Sequence, residues 1–273
     1  MQPTMRQPRG ILNRKAGERK FRLSRHLPAQ DLSFFIEHYW IVSWDLRSQE
    51  PYVQETLPYP SVHLVFEEGQ SMVFGVSTGK FTRLLENKGR VFGIKFKPGA
   101  FYPFVKVPVS QFTDTVVSFL DVFGCDDTSL EEAILSRGNE SEMVVLAEEF
   151  LRERLPEPDN HIKIINEIID CIIAHPEITR VDDLVSRFDL NKRTLQRLFR
   201  QYVGVSPKWV IKRYRLHEVA ERLAEGERLD WPGIVLELGY ADQAHFIKEF
   251  KTIVGRTPTE YAKYVAASSS LSK

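Results

Sequence analysis

The stretch Val181-Asp-Asp-Leu-Val-Ser-Arg-Phe-Asp-Leu-Asn-Lys-Arg-Thr-Leu-Gln-Arg-Leu-Phe-Arg-Gln-Tyr-Val-Gly-Val-Ser-Pro207 returns in altered letters as Trp231-Pro-Gly-Ile-Val-Leu-Glu-Leu-Gly-Tyr-Ala-Asp-Gln-Ala-His-Phe-Ile-Lys-Glu-Phe-Lys-Thr-Ile-Val-Gly-Arg-Thr-Pro258. Each copy predicts a short apolar helix, a tight turn and a longer helix with a polar outer face. Each closes alike, on Gly204-Val205-Ser206-Pro207 and on Gly255-Arg256-Thr257-Pro258. One helix-turn-helix pattern arises often by chance; two with the same internal spacing do not. Two such units on one chain can place two recognition helices in successive major-groove segments without a second copy of the protein.

In the first unit Leu184, Val185, Phe188, Leu190, Leu195, Leu198, Phe199 and Val203 fall at core spacing, and Asn191 is suited to cap the second helix. Lys192, Arg193, Thr194, Gln196, Arg197, Arg200 and Gln201 are left on the outside. These types suit a DNA groove: Arg forks onto guanine, Gln pairs with adenine, and Lys and Thr hold phosphates. In the second unit Ile234, Val235, Leu238, Phe246, Phe250 and Val254 form the core side. Asp242 is placed to cap, and Gln243, His245 and Lys248 face outward on a less basic surface. Pro207 to about Glu225 spans a helix of roughly five turns at 1.5 Å per residue, able to hold the units apart. Ser206 suits its cap and Pro207 its first turn.

The chain has 273 residues, 42% apolar and 11% aromatic, enough for about two domains with real cores. Its 37 basic and 37 acidic residues cancel, so no global field drives nucleic-acid binding. Positive charge is instead local, at Lys192, Arg193, Arg197 and Arg200, and again at Lys208, Lys212, Arg213 and Arg215. Cys125 and Cys171 are too few and too far apart for a disulfide framework or a metal spacing, which fits a reducing compartment. No apolar run spans a membrane and no secretory leader is evident, so the expected location is cytoplasmic.

The expected organisation is α+β in two domains. Residues 1–20 form a flexible tail. Residues 21–125 form a β-rich domain, from apolar runs at Phe34–Trp44, Ser61–Phe66, Met72–Val76 and Val91–Phe96 broken by Pro and Gly, and suggest a small barrel or sandwich. Asp31–Trp40 is also compatible with a helix. Residues 126–158 make a helical connector and linker; the chain breaks at Pro156-Glu-Pro-Asp-Asn160, where Asn160 is placed to cap the next helix. Residues 159–265 hold the two repeated units, and 266–273 a disordered tail.

Residues from about His161 to Val265 resemble the DNA-binding domain of AraC/XylS transcription regulators. The resemblance rests on Arg193-Thr-Leu-Gln-Arg-Leu-Phe199, Gly204-Val-Ser-Pro207 and Gly239-Tyr-Ala-Asp-Gln-Ala-His-Phe-Ile-Lys-Glu-Phe250. It implies seven helices in two helix-turn-helix subdomains joined by a long helix. It places Arg193, Gln196 and Arg197 at base-reading positions and Gln243, His245 and Lys248 at groove- or backbone-facing positions; all six are expected to read bases, and Lys192, Thr194 and Arg200 are expected on the DNA backbone. Val185 and Val235 depart from the small Ala usual beside each turn. Asp189 stands where Gly is common and Asn191 where Ser is common; both types tolerate turn backbones.

The front half is similar to the cupin-like sensor domains that precede such modules, on Leu57-Pro-Tyr-Pro-Ser-Val-His-Leu-Val-Phe66, Gly75-Val-Ser-Thr78 and Gly89–Phe104. The expected function is sequence-specific transcription regulation without catalysis, a cofactor or a metal. The expected partners are double-stranded DNA, RNA polymerase, a small-molecule effector and a second copy of the chain. The alternative is a catalytic or metal-binding front domain, with Glu55, His63 and His38 as ligands, targeted to DNA by the rear half. An effector pocket would draw its walls from Trp40, Trp44, Phe66, Phe74 and Phe96.

Overall fold

The computed structural model describes residues 10, 12, 17–126, 128–227 and 229–270. Eight strands come first: β1 (Arg22–His26), β2 (Ile36–Asp45), β3 (Tyr52–Thr56), β4 (His63–Glu67), β5 (Met72–Phe74), β6 (Phe81–Leu85), β7 (Lys88–Phe96) and β8 (Val116–Ser118). Six form one antiparallel sheet in the order β1-β2-β7-β4-β5-β8, and β3 pairs with β6 as a separate ribbon. The stretch from Asp31 begins as a turn and becomes β2, whose aromatic and β-branched residues pair along β7 from Ile36↔Phe96 to Asp45↔Lys88.

The two faces of this sheet differ. On one, Tyr39, Ile41, Leu64, Phe66, Phe92, Ile94 and Phe96 are buried in the main core. On the other, the Trp40 and Trp44 indoles lie flat over Gly93 and Gly89. A Cβ at Gly93 would stand 2.0 Å from Trp40 and one at Gly89 2.2 Å from Trp44, so the close approach requires glycine. The Trp40 indole donates to His63 Nδ1 at 3.2 Å and the Trp44 indole to the Glu86 carbonyl at 2.9 Å. Phe74 meets Phe81 of the ribbon edge to face. The five aromatics expected to wall one pocket are thus divided between opposite faces, because the pairing register, with Trp40 opposite Gly93 and Phe66 opposite Phe92, puts Trp40 and Phe66 on different sides of the sheet.

Four helices follow within the front half: α1 (Tyr102–Val105), α2 (Phe119–Phe123), α3 (Thr128–Leu135) and α4 (Glu140–Arg152). Helix α4 buries Met143, Ala147 and Leu151 in the main core. Polar ties reinforce it: Arg152 meets Asp31 at 2.7 Å, Glu148 accepts from the Ala29 N–H at 2.8 Å, and Glu140 lies 3.0 Å from His26. The segment expected as a connector is therefore built onto the front sheet.

The rear half is all helical: α5 (Asn160–Ala174), α6 (Val181–Phe188), α7 (Lys192–Leu198), a π-helical continuation (Phe199–Val203), α8 (Pro207–Ala224), α9 (Trp231–Glu237), α10 (Gln243–Val254) and α11 (Pro258–Ser270). Asp159, not Asn160, caps α5, accepting from the His161 N–H at 2.9 Å. A carboxylate there also meets the positive end of the helix dipole, which an amide does not.

One apolar cluster runs without a gap from Leu32 of the front domain to Ile211 of α8, taking in the first helix-turn-helix unit. The second unit has its own cluster, which includes Leu12 and Leu57 from the front. Described parts of both segments expected as tails are built into the fold. Leu12 is 3% exposed and its N–H donates to Glu55, while Leu57 donates back to Gly10. At the other end α11 runs to Ser270, since Tyr261 anchors it in the core and alanines favour helix. The rest of 1–16 and residues 271–273 lie outside the described residues. No described helix is long and apolar enough to cross a membrane.

Candidate nucleic-acid interface

The first unit turns at Asp189, which holds the left-handed conformation at φ 50°, and Gly239 occupies the matching place in the second unit at φ 69°. The next residue in each closes the same bond: Leu190 N–H donates to the Val185 carbonyl at 3.3 Å, and Tyr240 N–H to the Val235 carbonyl at 3.0 Å. The two units therefore share the left-handed residue and the closing bond, although Val185 and Val235 are larger than Ala; the N–H of the left-handed residue differs, going from Asp189 to the Val185 carbonyl and from Gly239 to the Leu236 carbonyl. An aspartate serves at the first turn because its short polar side chain tolerates this backbone.

Capping then sets the recognition helices. The Asn191 side chain accepts from the Thr194 N–H at 2.8 Å, and the Asp242 carboxylate from the His245 N–H at 2.7 Å. The Ser206 hydroxyl caps α8, accepting from the Trp209 N–H at 3.1 Å. Leu184, Leu195 and Phe199 anchor the first unit, and Phe246, Phe250 and Val254 the second. With those sides fixed inward, Lys192, Arg193, Gln196, Arg197 and Arg200 are exposed and Thr194 is half-buried. Arg193, Thr194, Gln196, Arg197 and Arg200 line one trough with Asn191 and Gly204–Ser206, and Ser110 of the front domain joins its wall. Nothing in the local sequence near Ser110 signals this; the fold brings it there.

Lys192 reaches back to Asp182 at 2.9 Å, with both side chains exposed. On α10, Gln243, His245 and Lys248 are exposed. The His245 Nε2 is 3.2 Å from Glu249, one turn on, whose carboxylate also takes Lys212. The Glu249 carboxyl is raised by burial, but Lys212, with Tyr240, more than offsets this and holds it below the usual range. His245 is thereby tethered, while Gln243 and Lys248 stand on the open side.

Three members of the second basic group of the sequence do not join the interface; Lys208 stays exposed. Arg213 and Arg215 are buried, and Lys212 is engaged by Glu249. The residues weighed as metal ligands also part company. Glu55 is held by Lys80 and Arg256, while His38 and His63 flank Lys95 across β2, β7 and β4. Among the described residues no group of three His, Cys, Asp or Glu side chains could hold a metal ion.

Residues 184–264 match the Helix-turn-helix domain family, and residues 24–118 match a Domain of unknown function (DUF6597). The chain is 31% identical over 103 residues to the regulatory protein SoxS of Escherichia coli (strain K12), covering 37% of this chain and 95% of SoxS. It is 26% identical over 140 residues to the Msm operon regulatory protein of Streptococcus mutans, half of each chain. An uncharacterized HTH-type transcriptional regulator of Haemophilus influenzae is 29% identical over 105 residues, 38% of this chain and 35% of that one. The chain thus spans about a third to a half of the length of these last two relatives. With SoxS matched almost end to end, the chain belongs to the AraC family of helix-turn-helix transcription regulators.

Proposed function

We propose that this chain regulates transcription by binding a two-part DNA site, with its two recognition helices in adjacent major-groove segments about one helical turn, 34 Å, apart. The observation that supports this most is the repeated turn, with the same closing bond and the same left-handed residue ahead of two capped helices. Arg193, Gln196 and Arg197 read bases in one segment, and Gln243, His245 and Lys248 do so in the other. Lys192, Thr194 and Arg200 hold the phosphates. His245 serves as a weaker reader, because contact with a base competes with Glu249.

The front domain is a cupin-like sensor that controls this binding in the cytoplasm, through a small-molecule effector or a second copy of the chain. Its packing against both units supports that role, since its core is continuous with Val210 and Ile211 of α8 and Glu55 of β3 pairs with Arg256 of the second unit's closing turn. RNA polymerase is the further partner that regulation requires. The test is affinity of the full chain for a mixed-sequence duplex between about 50 and 200 mM salt. Affinity should fall steeply and linearly on logarithmic axes; salt-independent binding, or none, contradicts the reading.

A further inference from the structure

One short segment of the front domain docks on the first helix-turn-helix unit, and it reaches the face that carries the recognition helix. Val109–Gln111 is a single 3-10 turn, with Val109 buried in the main core. The front domain fixes it from one side. The Asp114 carboxylate accepts from the Thr78 N–H and from the Thr78 hydroxyl, each at 2.7 Å. The Phe112 backbone lies so close to Gly75 that a Cβ there would stand 1.6 Å from the Phe112 carbonyl oxygen. The rear half fixes it from the other side. The Thr113 hydroxyl donates to the Gly204 carbonyl at 2.8 Å. Gly204 closes the π-helical continuation of α7 in the left-handed region, at φ 96°, and a Cβ on it would stand 3.0 Å from Thr113 Oγ1 and 3.1 Å from the Val109 carbonyl oxygen. Ser110 therefore keeps a set place beside the recognition helix.

The trough that Ser110 joins has one chemical character. Arg193, Arg197 and Arg200 share it with the hydroxyls of Ser110, Thr194 and Ser206, and no lining residue is acidic. Such a wall suits an anion that offers several acceptor oxygens. An α-helix with its side chains is about 10–12 Å across and the major groove about 12 Å wide, so a seated helix has its flanks against the two rows of phosphates. Ser110 is short, half-buried and uncharged, so at such a flank it meets a phosphate with a hydroxyl donor and neither bulk nor negative charge.

We propose that the front domain is itself part of the DNA-binding surface: the Ser110 hydroxyl donates to a backbone phosphate on the rim of the groove that α7 enters. This rests on the reading of α7 as a recognition helix. The contact positions the duplex and carries no sequence information. It also gives the front domain a direct hold on DNA, so a signal that displaces the Val109–Thr113 segment alters affinity without repacking the recognition helix.

The experiment is titration of the full chain with a fluorescent mixed-sequence duplex across a series of salt concentrations, for wild type, Ser110→Ala, Ser110→Lys and Ser136→Lys. Loss of one neutral donor in Ser110→Ala should weaken binding roughly 3- to 10-fold and leave the salt slope unchanged. Ser110→Lys turns the contact into an ion pair and should tighten binding at low salt while steepening the slope by about one. Ser136→Lys adds the same charge to the front domain outside the trough and should do neither. Tighter binding by Ser110→Ala makes the segment an obstacle to DNA and overturns the proposal. Wild-type affinity and slope in both Ser110 variants, or an equal gain from Ser136→Lys, overturns it as well. Should Ser110→Lys melt well below wild type, Ser110→Ala decides alone. Wild-type binding that is absent or indifferent to salt counts against the DNA reading itself, whereas salt-sensitive wild-type binding that Ser110→Ala leaves unchanged counts against this contact only.

Discussion

Glu55 ties the second helix-turn-helix unit to the front domain, and removing its charge should be felt throughout the molecule. It lies on β3, 7% exposed, with Arg256 of the closing turn 2.6 Å from one oxygen and Lys80 on the other. Lys80 in turn packs over Gly255. Burial alone would raise the Glu55 carboxyl; Arg256 and Lys80 more than offset it and hold it below its ordinary 4.5. Glu55→Gln keeps the shape and leaves two cations facing each other. Breaking a fully buried pair costs about 3–5 kcal/mol, and since Lys80 and Arg256 retain some solvent, about 2–3 kcal/mol is expected here. For a chain of this size that lowers Tm by about 4–10 °C.

The sign with pH follows from the lowered carboxyl. The unfolded glutamate takes up a proton before the folded one, so the stabilisation is present above pH 4.5 and is lost as pH falls through the folded value. Glu55→Gln should lack that acid-sensitive component. Circular-dichroism melts at neutral pH and across the acid range measure both effects, and amide exchange should rise in α10 and α11. A variant melting within about 1 °C of wild type, with unchanged exchange in those helices, would refute the clasp.

Arg197→Ala should cost about 1–3 kcal/mol at the preferred DNA site and relax one base preference, measured by titration against single-base variants of that site. Lys192→Ala should weaken binding to all sequences alike and reduce the salt slope by about one; a loss confined to one sequence would contradict a phosphate role. Asp189→Gly should stabilise the chain by about 0.5–1 kcal/mol in denaturant melts by relieving the left-handed aspartate, and no gain would put that turn's geometry in question. Burial, with the Lys95 and His38 charges, pushes His63 down to about 3, so the unfolded imidazole protonates first as pH falls below 6.5. Stability should therefore drop through that window by up to about 1.4 kcal/mol per pH unit, and His63→Gln should flatten the drop.

The parts of this fold that were legible in the sequence are those written locally. Asn191, Asp242 and Ser206 cap as their residue types and spacing imply, because a cap is satisfied by an N–H three residues away. The strand runs were legible for the same reason. Arg213 and Arg215 count in the sequence as part of a local basic group, yet the Nε of Arg213 donates to a carbonyl 155 residues earlier. No local period encodes that. Trp40 and Phe66 looked alike by composition, and only the pairing of β2, β7 and β4 puts them on opposite faces. The tether on His245 was within reach, since Glu249 follows it at helical spacing. The place of Ser110 beside the trough depended on how the two domains pack, which no single stretch records.

The most direct test of the two-helix account is selection of the full chain on a random-sequence duplex library at two salt concentrations. The account predicts an enriched site in two parts, their centres separated by about one helical turn, 10–10.5 base pairs. A single enriched block, or salt-sensitive binding with no enriched sequence, would contradict it.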